Sequence, residues 1–474
     1  MKIIDCLYEN RGLDKTAVRF GSDSISYKEL WNKSLAYSEK IKRLNTQNVA
    51  ILLPNSIDYF ISYYSILLGG KTVVPIGYYL GQNEVQEILN ETGACLITTS
   101  DRDVYECEDV LYIDKNDDWE VPDFDYDSYK TSEVAVVFPT SGTTSRSKYV
   151  QLSDLNLMQN VQDIMKILSM SREKNRNDNE LIVLPLTASF CNTTQMLVCL
   201  YCSMTITILD GRISLPKIFQ LMKTNDITYC EMTPTLLKIF AQHYNMLKDE
   251  KFELKRISCG GETISEDELK IVQKQLTGVE VYLGYGLTEA GPVVATQCSE
   301  DYLYAGNSVG KLLDSFEIRF GALDNQDDYP DGAGEIEIKG PCIMKGYLNE
   351  EKPSVVEGWF ATGDIGYMDE NNYLYIIGRK KNIIISGGRN INAEEVENVV
   401  RKYDAVEECR VYGEKNSIYG EVVVIDVVKK KDCSIDNKEL IHFCKEYLAD
   451  YKIPQKFNYV DFIKKNSSGK IIRY

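Results

Sequence analysis

The sequence predicts an α/β protein. Its large N-terminal domain, 1–380, contains helix-covered parallel sheets and a small β-barrel-like part, and a small, mobile α+β C-terminal domain, 381–474, follows. Three observations predict this organisation. The first two-thirds of the chain alternate short β-rich runs with helix-length segments, the residues from about 305 to 377 are rich in strands and turns, and a compact tail follows the cationic GRKKN run at 378–382. With 474 residues, the chain also exceeds the usual size of one compact domain.

The alternation in the first two-thirds predicts parallel sheets, because strands that alternate with helices pair in parallel and are covered by those helices. Short apolar runs bounded by turn residues are predicted as strands at 48–54, 71–76, 94–99, 133–139, 180–186, 204–209, 227–234 and 254–261. Segments of helix length between several of them are predicted as helices at 56–68, 82–92, 153–169, 234–247 and 265–276.

The later part of the chain changes in pattern. The runs SFEIRFG, GEIEIKG and NYLYIIG predict strands of a smaller mixed or barrel-like unit. In the tail, strands are predicted near 383–386, 407–412 and 421–428, and helices near 393–402 and 437–448. About 90 residues are enough for a small α+β domain.

Composition excludes several classes of function. Hydrophobic residues make up 44% and charged residues 26%, which is ordinary for a globular protein, but the net charge is −18. Such acidity argues against a nucleic-acid backbone as partner. We expect no membrane span, because no 18-residue uncharged stretch occurs. The first residues lack the apolar run of a signal peptide, and the 13 cysteines are scattered, so we expect a cytoplasmic protein.

Histidine and cysteine usage restricts the chemistry further. The chain has only two histidines, His243 and His442, both in segments predicted as helical. The sequence therefore argues against a Ser-His-Asp triad and against a metal site built on histidine. The single CxxC pair, Cys199 and Cys202, lies in the apolar run MLVCLYC, where we expect it to pack in the core and not to hold a metal.

A loop rich in hydroxyl groups follows the strand predicted at 133–139. It reads TSGTTSRSK, with Gly142 allowing close approach of the backbone to an anion and Lys148 supplying positive charge. This composition is typical of a phosphate-binding loop. It differs from the Walker pattern, because Ser147 stands where that pattern has its second glycine. From the loop alone, an ordinary hydrophilic turn remains an alternative.

Other segments make the pattern specific. TSGTTSRSKYV at 140–150 resembles the TSGTTG-x-PKGV loop of the adenylate-forming superfamily, which includes acyl-CoA synthetases, firefly luciferase and peptide-synthetase adenylation domains. YLGYGLTEAGP at 282–292 is similar to its Y-G-x-T-E segment, and the run at 358–397 to its T-G-D and G-R segments. The runs at 452–473 and 53–76 resemble its terminal and N-terminal patterns. Order and spacing agree over practically the whole chain, and the chain looks closest to the acyl-CoA ligases.

The resemblance implies a two-step reaction. ATP and a carboxylic acid form an acyl-adenylate and pyrophosphate, and the acyl group then passes to the thiol of CoA or of a phosphopantetheine. Two anions must combine in the first step, so positive charge and oriented donors at the α-phosphate are the main requirement. The resemblance assigns the β- and γ-phosphates to Thr140, Ser141, Gly142, Thr143, Thr144 and Lys148.

The same resemblance places further ATP-binding groups. Thr288 would contact the α-phosphate, and Glu289 would coordinate Mg²⁺, a hard ion that prefers carboxylate oxygen. Asp364 would accept both ribose hydroxyls, and Arg379 would add a cation near the ribose and phosphate. Either Asp364 or Arg379, taken alone, could equally form a surface salt bridge. The residues expected along the adenine are Gly260, Gly261, Glu262, Tyr285 and Gly286.

The C-terminal domain is expected to move. The resemblance makes Lys470, in NSSGK, the catalytic lysine that bridges the attacking carboxylate and the α-phosphate. A hinge at Lys381 would carry it in, and closure would exclude water. After rotation of the domain, Gly387 and Gly388 would border the thiol tunnel, where pantetheine passes close to the backbone.

The acid pocket is expected at Ala188, Phe190 and Gly284. Many acyl-CoA synthetases carry a histidine where this chain has Ala188, and amino-acid-activating relatives carry an aspartate nearby. No aspartate occurs between 184 and 200, so we disfavour α-amino acids. The wall suggests a medium-chain, branched or aryl acid.

Two alternatives stay open at this point. The first is an enzyme that performs the same adenylation but loads an acyl-carrier protein, because docking of a carrier requires a surface that sequence does not reveal. The second is a nucleotide-binding pseudo-enzyme or regulator, suggested by the altered loop at 140–150. Glu289, Asp364, Arg379 and Lys470 are all present, which favours an active ligase.

Overall fold

A computed structural model of the chain describes residues 1–98, 105–113, 120–140, 148–244, 253–261, 264–298, 301, 305–323, 326–465 and 471. By their internal contacts, the residues divide into two compact units. The first unit contains Met1–Thr140, Lys148–Glu317 and Lys339–Gly358, and the second contains Ile318–Ile338 and Trp359–Tyr474. The expected division into 1–380 and 381–474, with its hinge, stays a prediction.

The strands confirm the β-rich runs predicted from the sequence. In chain order they are β1 (Thr16–Phe20), β2 (Asp23–Ser26), β3 (Asn48–Ile51), β4 (Thr72–Pro75), β5 (Cys95–Thr98), β6 (Val110–Tyr112), β7 (Val136–Thr140), β8 (Lys148–Leu152), β9 (Asn179–Ile182), β10 (Thr205–Ile208), β11 (Tyr229–Met232), β12 (Arg256–Gly260), β13 (Glu280–Gly286), β14 (Val293–Gln297), β15 (Lys311–Leu312), β16 (Glu317–Gly321), β17 (Gly334–Lys339), β18 (Gly346–Tyr347), β19 (Val355–Val356), β20 (Trp359–Met368), β21 (Leu374–Arg379), β22 (Ile383–Ser386), β23 (Arg389–Asn392), β24 (Val406–Asn416), β25 (Gly420–Lys429) and β26 (Lys456–Tyr459).

The helices confirm the predicted helical segments, but others, among them Tyr27–Lys42, were not predicted. Ser153 and Ser265 cap two of the predicted helices through their side chains, and Ser26 caps Tyr27–Lys42. The α-helices are α1 (Asp5–Tyr8), α2 (Tyr27–Lys42), α3 (Ile57–Leu68), α4 (Gln82–Thr92), α5 (Asp154–Ile167), α6 (Arg172–Asn175), α7 (Val198–Tyr201), α8 (Leu215–Thr224), α9 (Pro234–Tyr244), α10 (Glu266–Gln275), α11 (Ala393–Val400) and α12 (Asn437–Tyr447). A π-helix, Cys191–Leu197, runs directly into α7.

The first unit is built on two large sheets. One has the strand order β15-β14-β13-β12-β11-β9-β10-β1-β2 and is parallel from β13 through β1, with antiparallel strands at both edges. The other has the order β18-β8-β7-β4-β3-β5-β6 and is parallel from β7 to β6. The parallel cores were predicted. The antiparallel strands β8 and β14 were not predicted, and neither was β13, which pairs in parallel with β12.

Apolar faces of these sheets are covered by helices. Cys230, Met232 and Ile257 pack against Phe240 of α9 and Val272 of α10 in one buried cluster. A second cluster joins the other sheet to α4. Burial of continuous apolar runs on both faces is what distinguishes central parallel strands from surface strands. Among the described residues, none of the helices has the length and apolar composition that crossing a bilayer requires.

The second unit contains two smaller sheets. β16, β17, β20 and β21 belong to one sheet, in which β20 and β21 are antiparallel. β22 to β26 form the other in the order β23-β22-β25-β24, with β26 parallel to β25. A buried cluster holds the second of these sheets to α11 and α12. Asn392 caps α11 by accepting a hydrogen bond from the backbone N–H of Glu394.

The cysteines and histidines have the environments expected of them. Cys199 and Cys202 are buried in the core, and all 13 cysteines are free thiols. His243 lies in α9 and His442 in α12. Both histidines therefore lie in helices, as predicted.

Candidate active site

The hydroxyl-rich loop joins two strands of an antiparallel hairpin. Thr140 at the end of β7 pairs with Lys148 at the start of β8, and its hydroxyl donates a 3.1 Å hydrogen bond to the Lys148 carbonyl oxygen. These two residues fix both ends of the loop. The other predicted phosphate-binding residues of the loop, whose roles stay predictions, lie outside the described residues: Ser141, Gly142, Thr143 and Thr144.

Glu289 lies beside the same hairpin. It belongs to the 3₁₀ turn Thr288–Ala290, and its carboxylate oxygen Oε1 accepts a 2.7 Å hydrogen bond from the hydroxyl of Tyr347. Strand β18, which carries Tyr347, pairs with β8, and the ammonium of Lys148 lies 4.3 Å from the centre of the Tyr347 ring. The fold thus gathers Lys148, Tyr347 and Glu289 into one group. Sequence reasoning missed Tyr347, because only tertiary pairing brings it here.

Thr288 is held by a second residue that the sequence reasoning missed. The hydroxyl of Ser189 lies 2.8 Å from the hydroxyl of Thr288, and Ser189 is buried. Ala188, the expected pocket residue immediately before it, is exposed. The only signal in the sequence was the adjacency of Ser189 to the position where many relatives carry a histidine.

The expected adenine-binding residues lie at the carboxyl ends of β12 and β13, where ligands of open α/β sheets bind. Gly260 and Gly284 are direct neighbours across these two strands. Gly286 ends β13 so close to the next turn that a Cβ there would lie 1.9 Å from the Pro292 carbonyl oxygen. Only glycine fits at that position. Tyr285 is partly exposed, Gly261 is exposed and Glu262 lies outside the described residues.

The expected acid pocket has one close contact. A Cβ on Gly260 would lie 3.3 Å from Cζ of Phe190, so the edge of the ring rests on the glycine. On the neighbouring strand, the described residues place only the Cys259 carbonyl oxygen, at 3.9 Å, within 4 Å of a Cβ on Gly284. The described part of the chain therefore leaves space beside Gly284, next to the strand on which Phe190 rests. A flat, apolar substrate group fits such a slot.

The second unit carries the pair expected at the ribose. Asp364 of β20 and Arg379 of β21 are cross-strand partners, and Nε of Arg379 lies 2.6 Å from Oδ1 of Asp364. The Asp364 side chain is 4% exposed and the Arg379 side chain 41%. The two residues therefore form an ion pair with each other, so that Arg379 compensates the buried charge of Asp364.

The remaining expected residues of this unit lie in its turns. Gly387 and Gly388 form the two-residue connection between β22 and β23, with φ angles of 59° and 78°. Positive φ at both positions is the type I′ hairpin that strongly favours glycine, so the turn itself accounts for both glycines. Lys381 lies in the short 3₁₀ turn Lys380–Asn382. Lys470 lies outside the described residues, and its catalytic role stays a prediction.

The group around Glu289 fits Mg²⁺ by its donor chemistry. Its Oε1 is held by Tyr347, and the described residues offer Oε2 no hydrogen-bond donor, so this oxygen is available to a hard cation. No cluster of three His, Cys, Asp or Glu side chains suited to a metal occurs within the described ranges. That pattern suits Mg²⁺ better than zinc, because Mg²⁺ is bound by one or two carboxylates together with phosphate oxygens.

Comparison with known families matches almost the whole chain. The family described as AMP-binding enzyme matches residues 8–348, and the AMP-binding enzyme C-terminal domain matches residues 395–470. A 2-succinylbenzoate–CoA ligase of Bacillus licheniformis is 28% identical over 473 residues, with 97% of this chain and 96% of the relative covered. A feruloyl-CoA synthase of an Amycolatopsis species is 27% identical, with 97% and 94% covered.

Solved structures agree with the fold. The o-succinylbenzoate CoA synthetase of Bacillus subtilis, in complex with its acyl-adenylate intermediate, superposes with a TM-score of 0.85 at 27% identity. The superposition covers 99% of this chain and 97% of the synthetase. The same synthetase in complex with ATP and a magnesium ion gives a TM-score of 0.84, also at 27% identity, and covers 99% and 98%.

Proposed function

The chain belongs to the AMP-binding enzyme family and is an AMP-forming CoA ligase that uses ATP and Mg²⁺, and from this premise we propose that its acid substrate is an aryl carboxylic acid. One observation carries the choice of acid. The edge of the Phe190 ring rests on Gly260, and no side chain of the described residues lies within 4 Å of a Cβ on Gly284 beside it, an arrangement that suits a flat apolar group. A planar ring fills such a slot with little loss of conformational entropy.

The names of the relatives support the same choice. A 2-succinylbenzoate–CoA ligase and a feruloyl-CoA synthase both act on acids with an aromatic ring. Relatives with these names are CoA ligases, so we take CoA as the acceptor of this chain.

The described residues support the following assignment of roles in the first step. A carboxylate oxygen of the acid attacks the α-phosphorus, the bond from that phosphorus to the oxygen bridging to the β-phosphate breaks, and pyrophosphate leaves. Lys148 supplies positive charge beside the phosphates, and the Thr288 hydroxyl donates to the α-phosphate from a position fixed by Ser189. Glu289, oriented by Tyr347, would hold Mg²⁺. When bound, Mg²⁺ supplies charge neutralisation of the phosphate oxygens.

The second step transfers the acyl group. The thiolate of CoA attacks the carbonyl carbon of the acyl-adenylate, the bond to the phosphate oxygen breaks, and AMP leaves. In this proposal the Gly387–Gly388 turn borders the path of the pantetheine, while Asp364 and Arg379 bind the ribose. Lys470, carried by movement about Lys381, would neutralise charge in the first step only.

An acid panel tests the choice of substrate. The purified chain is incubated with ATP, Mg²⁺, CoA and either a benzoate, a cinnamate or a straight-chain acid such as octanoate, and pyrophosphate release and thioester formation are measured. We expect kcat/KM for the best aryl acid to exceed that for octanoate by about tenfold or more. Turnover of octanoate without turnover of any aryl acid would overturn the proposal, and ATP binding without turnover of any acid would favour the regulator.

A further inference from the structure

Two glutamates are buried on the face of the larger sheet that carries Gly260 and Gly284. Glu180 lies on β9 and Glu231 on β11, and each is 5% exposed. Since Glu180 pairs with Tyr229, and Glu231 follows Tyr229 by two residues, both side chains point to the same face. The reaction described above uses neither carboxyl group, and burying a charged group is costly unless it has partners.

The hydroxyl of Thr194 indicates where a proton resides. Its oxygen lies 2.6 Å from the Phe190 carbonyl oxygen and 2.7 Å from Oε2 of Glu231. A hydroxyl carries one proton, and the Phe190 carbonyl can only accept, so the Thr194 proton belongs to that carbonyl. Oε2 of Glu231 therefore donates to Thr194, which makes Glu231 an uncharged carboxylic acid.

The surroundings of the two carboxyl groups agree with this assignment. Burial raises the pKa of both groups, and the charge of Glu180 raises the pKa of Glu231 further. Glu180 has partners that stabilise its charged form: the side-chain amide of Gln195 donates to Oε1, and the positive charge of Arg256 acts on it. Of the pair, Glu180 is the group that ionises first.

The other oxygen of Glu231 has no such partner. Oε1 has no hydrogen bond within the described part of the chain. In the register of the sheet Glu231 pairs with Ser258, which lies two residues, or roughly 7 Å, before Gly260 along β12. Ser258 and Gly284 are partly exposed although their strands are interior strands of the sheet, so the slot beside Phe190 extends over this face. Glu231 lies at its inner end.

We propose that Oε1 of Glu231 accepts a hydrogen bond from the distal end of the bound acid, and so selects an aryl acid with a distal hydroxyl group over one with a distal methyl group or a second carboxylate. This inference rests on the proposed function, because it names the class of aryl acid. A carboxylic acid whose proton is committed to Thr194 offers only an acceptor through Oε1. A substrate hydroxyl satisfies that acceptor and a methyl group leaves it unpaired. A substrate carboxylate, which can only accept, cannot pair with Oε1 and would lose its water on burial.

The test compares three cinnamates that differ only in the group at the distal end of the ring. kcat/KM is measured for 4-hydroxycinnamate, 4-methylcinnamate and 4-carboxycinnamate with the wild-type chain, with Glu231→Gln and with Glu231→Leu. We expect the wild type to prefer the hydroxyl over the methyl compound by about tenfold or more. Glu231→Gln keeps this preference, because its amide donates to Thr194 and its oxygen still accepts. Glu231→Leu reduces the ratio to about one.

Matched controls separate the possible failures. Glu180→Gln removes the neighbouring carboxyl group without changing the acceptor, and we expect it to keep the preference for the hydroxyl compound. Circular dichroism and Tm show whether Glu231→Leu folds, and Glu231→Met replaces it if it does not. A wild type without the preference, or an apolar variant that retains it, overturns this inference while the turnover of cinnamates upholds the proposed function. Turnover of octanoate but of no cinnamate or benzoate defeats both.

Discussion

The hydroxyl of Tyr347 donates a 2.7 Å hydrogen bond to Oε1 of Glu289, although 58 positions separate the two residues in the chain. Tyr347 thereby orients the carboxylate of Glu289 through Oε1, and Oε2 stays available to a cation. Strand β18 makes this possible, since its pairing with β8 also brings the ring of Tyr347 to Lys148.

Replacing this tyrosine tests its effect on the metal. We expect Tyr347→Phe to raise the Mg²⁺ concentration for half-maximal adenylation by roughly 10- to 100-fold, because the partner that orients a metal ligand is lost. Pyrophosphate release is measured across a magnesium titration. Tyr126→Phe serves as control, since Tyr126 also donates a 2.8 Å hydrogen bond to a carboxylate, that of Asp5, outside the site. Equal magnesium dependence in all three proteins would contradict the role of Tyr347.

Ser189 is expected to position the hydroxyl of Thr288. Ser189→Ala removes the partner 2.8 Å from that hydroxyl, and we expect kcat for adenylation to fall about fivefold, equivalent to roughly 1 kcal/mol, with little change in the KM for ATP. Single-turnover formation of the acyl-adenylate measures it. Ser38→Ala is the matched control, because Ser38 is a buried serine in α2 with a 2.7 Å hydrogen bond to a backbone carbonyl. A similar fall in both variants would show that the effect is structural.

The ion pair of Asp364 and Arg379 predicts an effect on the free energy of unfolding that can be measured separately from the effect on the KM for ATP. Arg379→Met leaves the buried Asp364 charge uncompensated, so we expect it to lower the free energy of unfolding by about 1–3 kcal/mol, and Asp364→Asn in the same chain to restore part of that loss. Urea unfolding measures both.

Binding of the ribose by Asp364 predicts an effect on ATP as well. Asp364→Asn should raise the KM for ATP by roughly tenfold, because the charged acceptor of the ribose hydroxyls is lost. As a control, Arg319→Met breaks another cross-strand pair of the second unit, in which Nε of Arg319 lies 2.6 Å from Glu337, and it should leave the KM for ATP unchanged. If Asp364→Asn alters stability but not the KM for ATP, the pair is purely structural.

Glu231 predicts a dependence of stability on pH. Burial raises its pKa above the ordinary value of 4.5, so the folded chain keeps a proton that the unfolded chain releases above about pH 4.5. The stability that this group contributes is complete below that pH and is lost as the pH rises through the folded pKa. We therefore expect Glu231→Gln to lose less stability than the wild type between about pH 5 and pH 8, by up to about 1.4 kcal/mol per pH unit.

Urea unfolding at several pH values measures this difference. Glu266→Gln, on an exposed side chain of α10, is the matched control and should follow the wild type. Parallel pH profiles for the wild type and Glu231→Gln would show that Glu231 is ionised in the folded chain, which would also remove the proton assigned to its contact with Thr194.

Much of the fold could be predicted because its central strands are buried on both faces. Runs such as ACLITT, which contains β5, and MTITIL, which contains β10, are mostly apolar or β-branched, and this composition favours a buried strand. β13 was missed for the opposite reason. Its sequence, EVYLGYG, is glycine-containing and partly exposed, because its carboxyl end lines the site and does not pack in the core.

The site could be predicted only in part. Thr140, Lys148, Thr288 and Glu289 belong to local motifs, and the structure brings them to neighbouring loops of the first unit. Ser189 carries no motif, and its contact with Thr288 spans 99 positions. In the sequence, Glu180 and Glu231 look like any other polar residues of a strand, because the sequence of a strand does not show which polar side chains face a cavity.

The sequence alone determined the class of fold, the order of strands and helices, and the chemistry of the nucleotide, because apolar periodicity and short motifs are local properties of the chain. Only the tertiary structure decided which distant side chains meet: Tyr347 with Glu289, Ser189 with Thr288, and Thr194 with Glu231. The physical reason is that hydrogen bonding and burial act through space, and sheet register sets those distances without leaving a trace in any single segment.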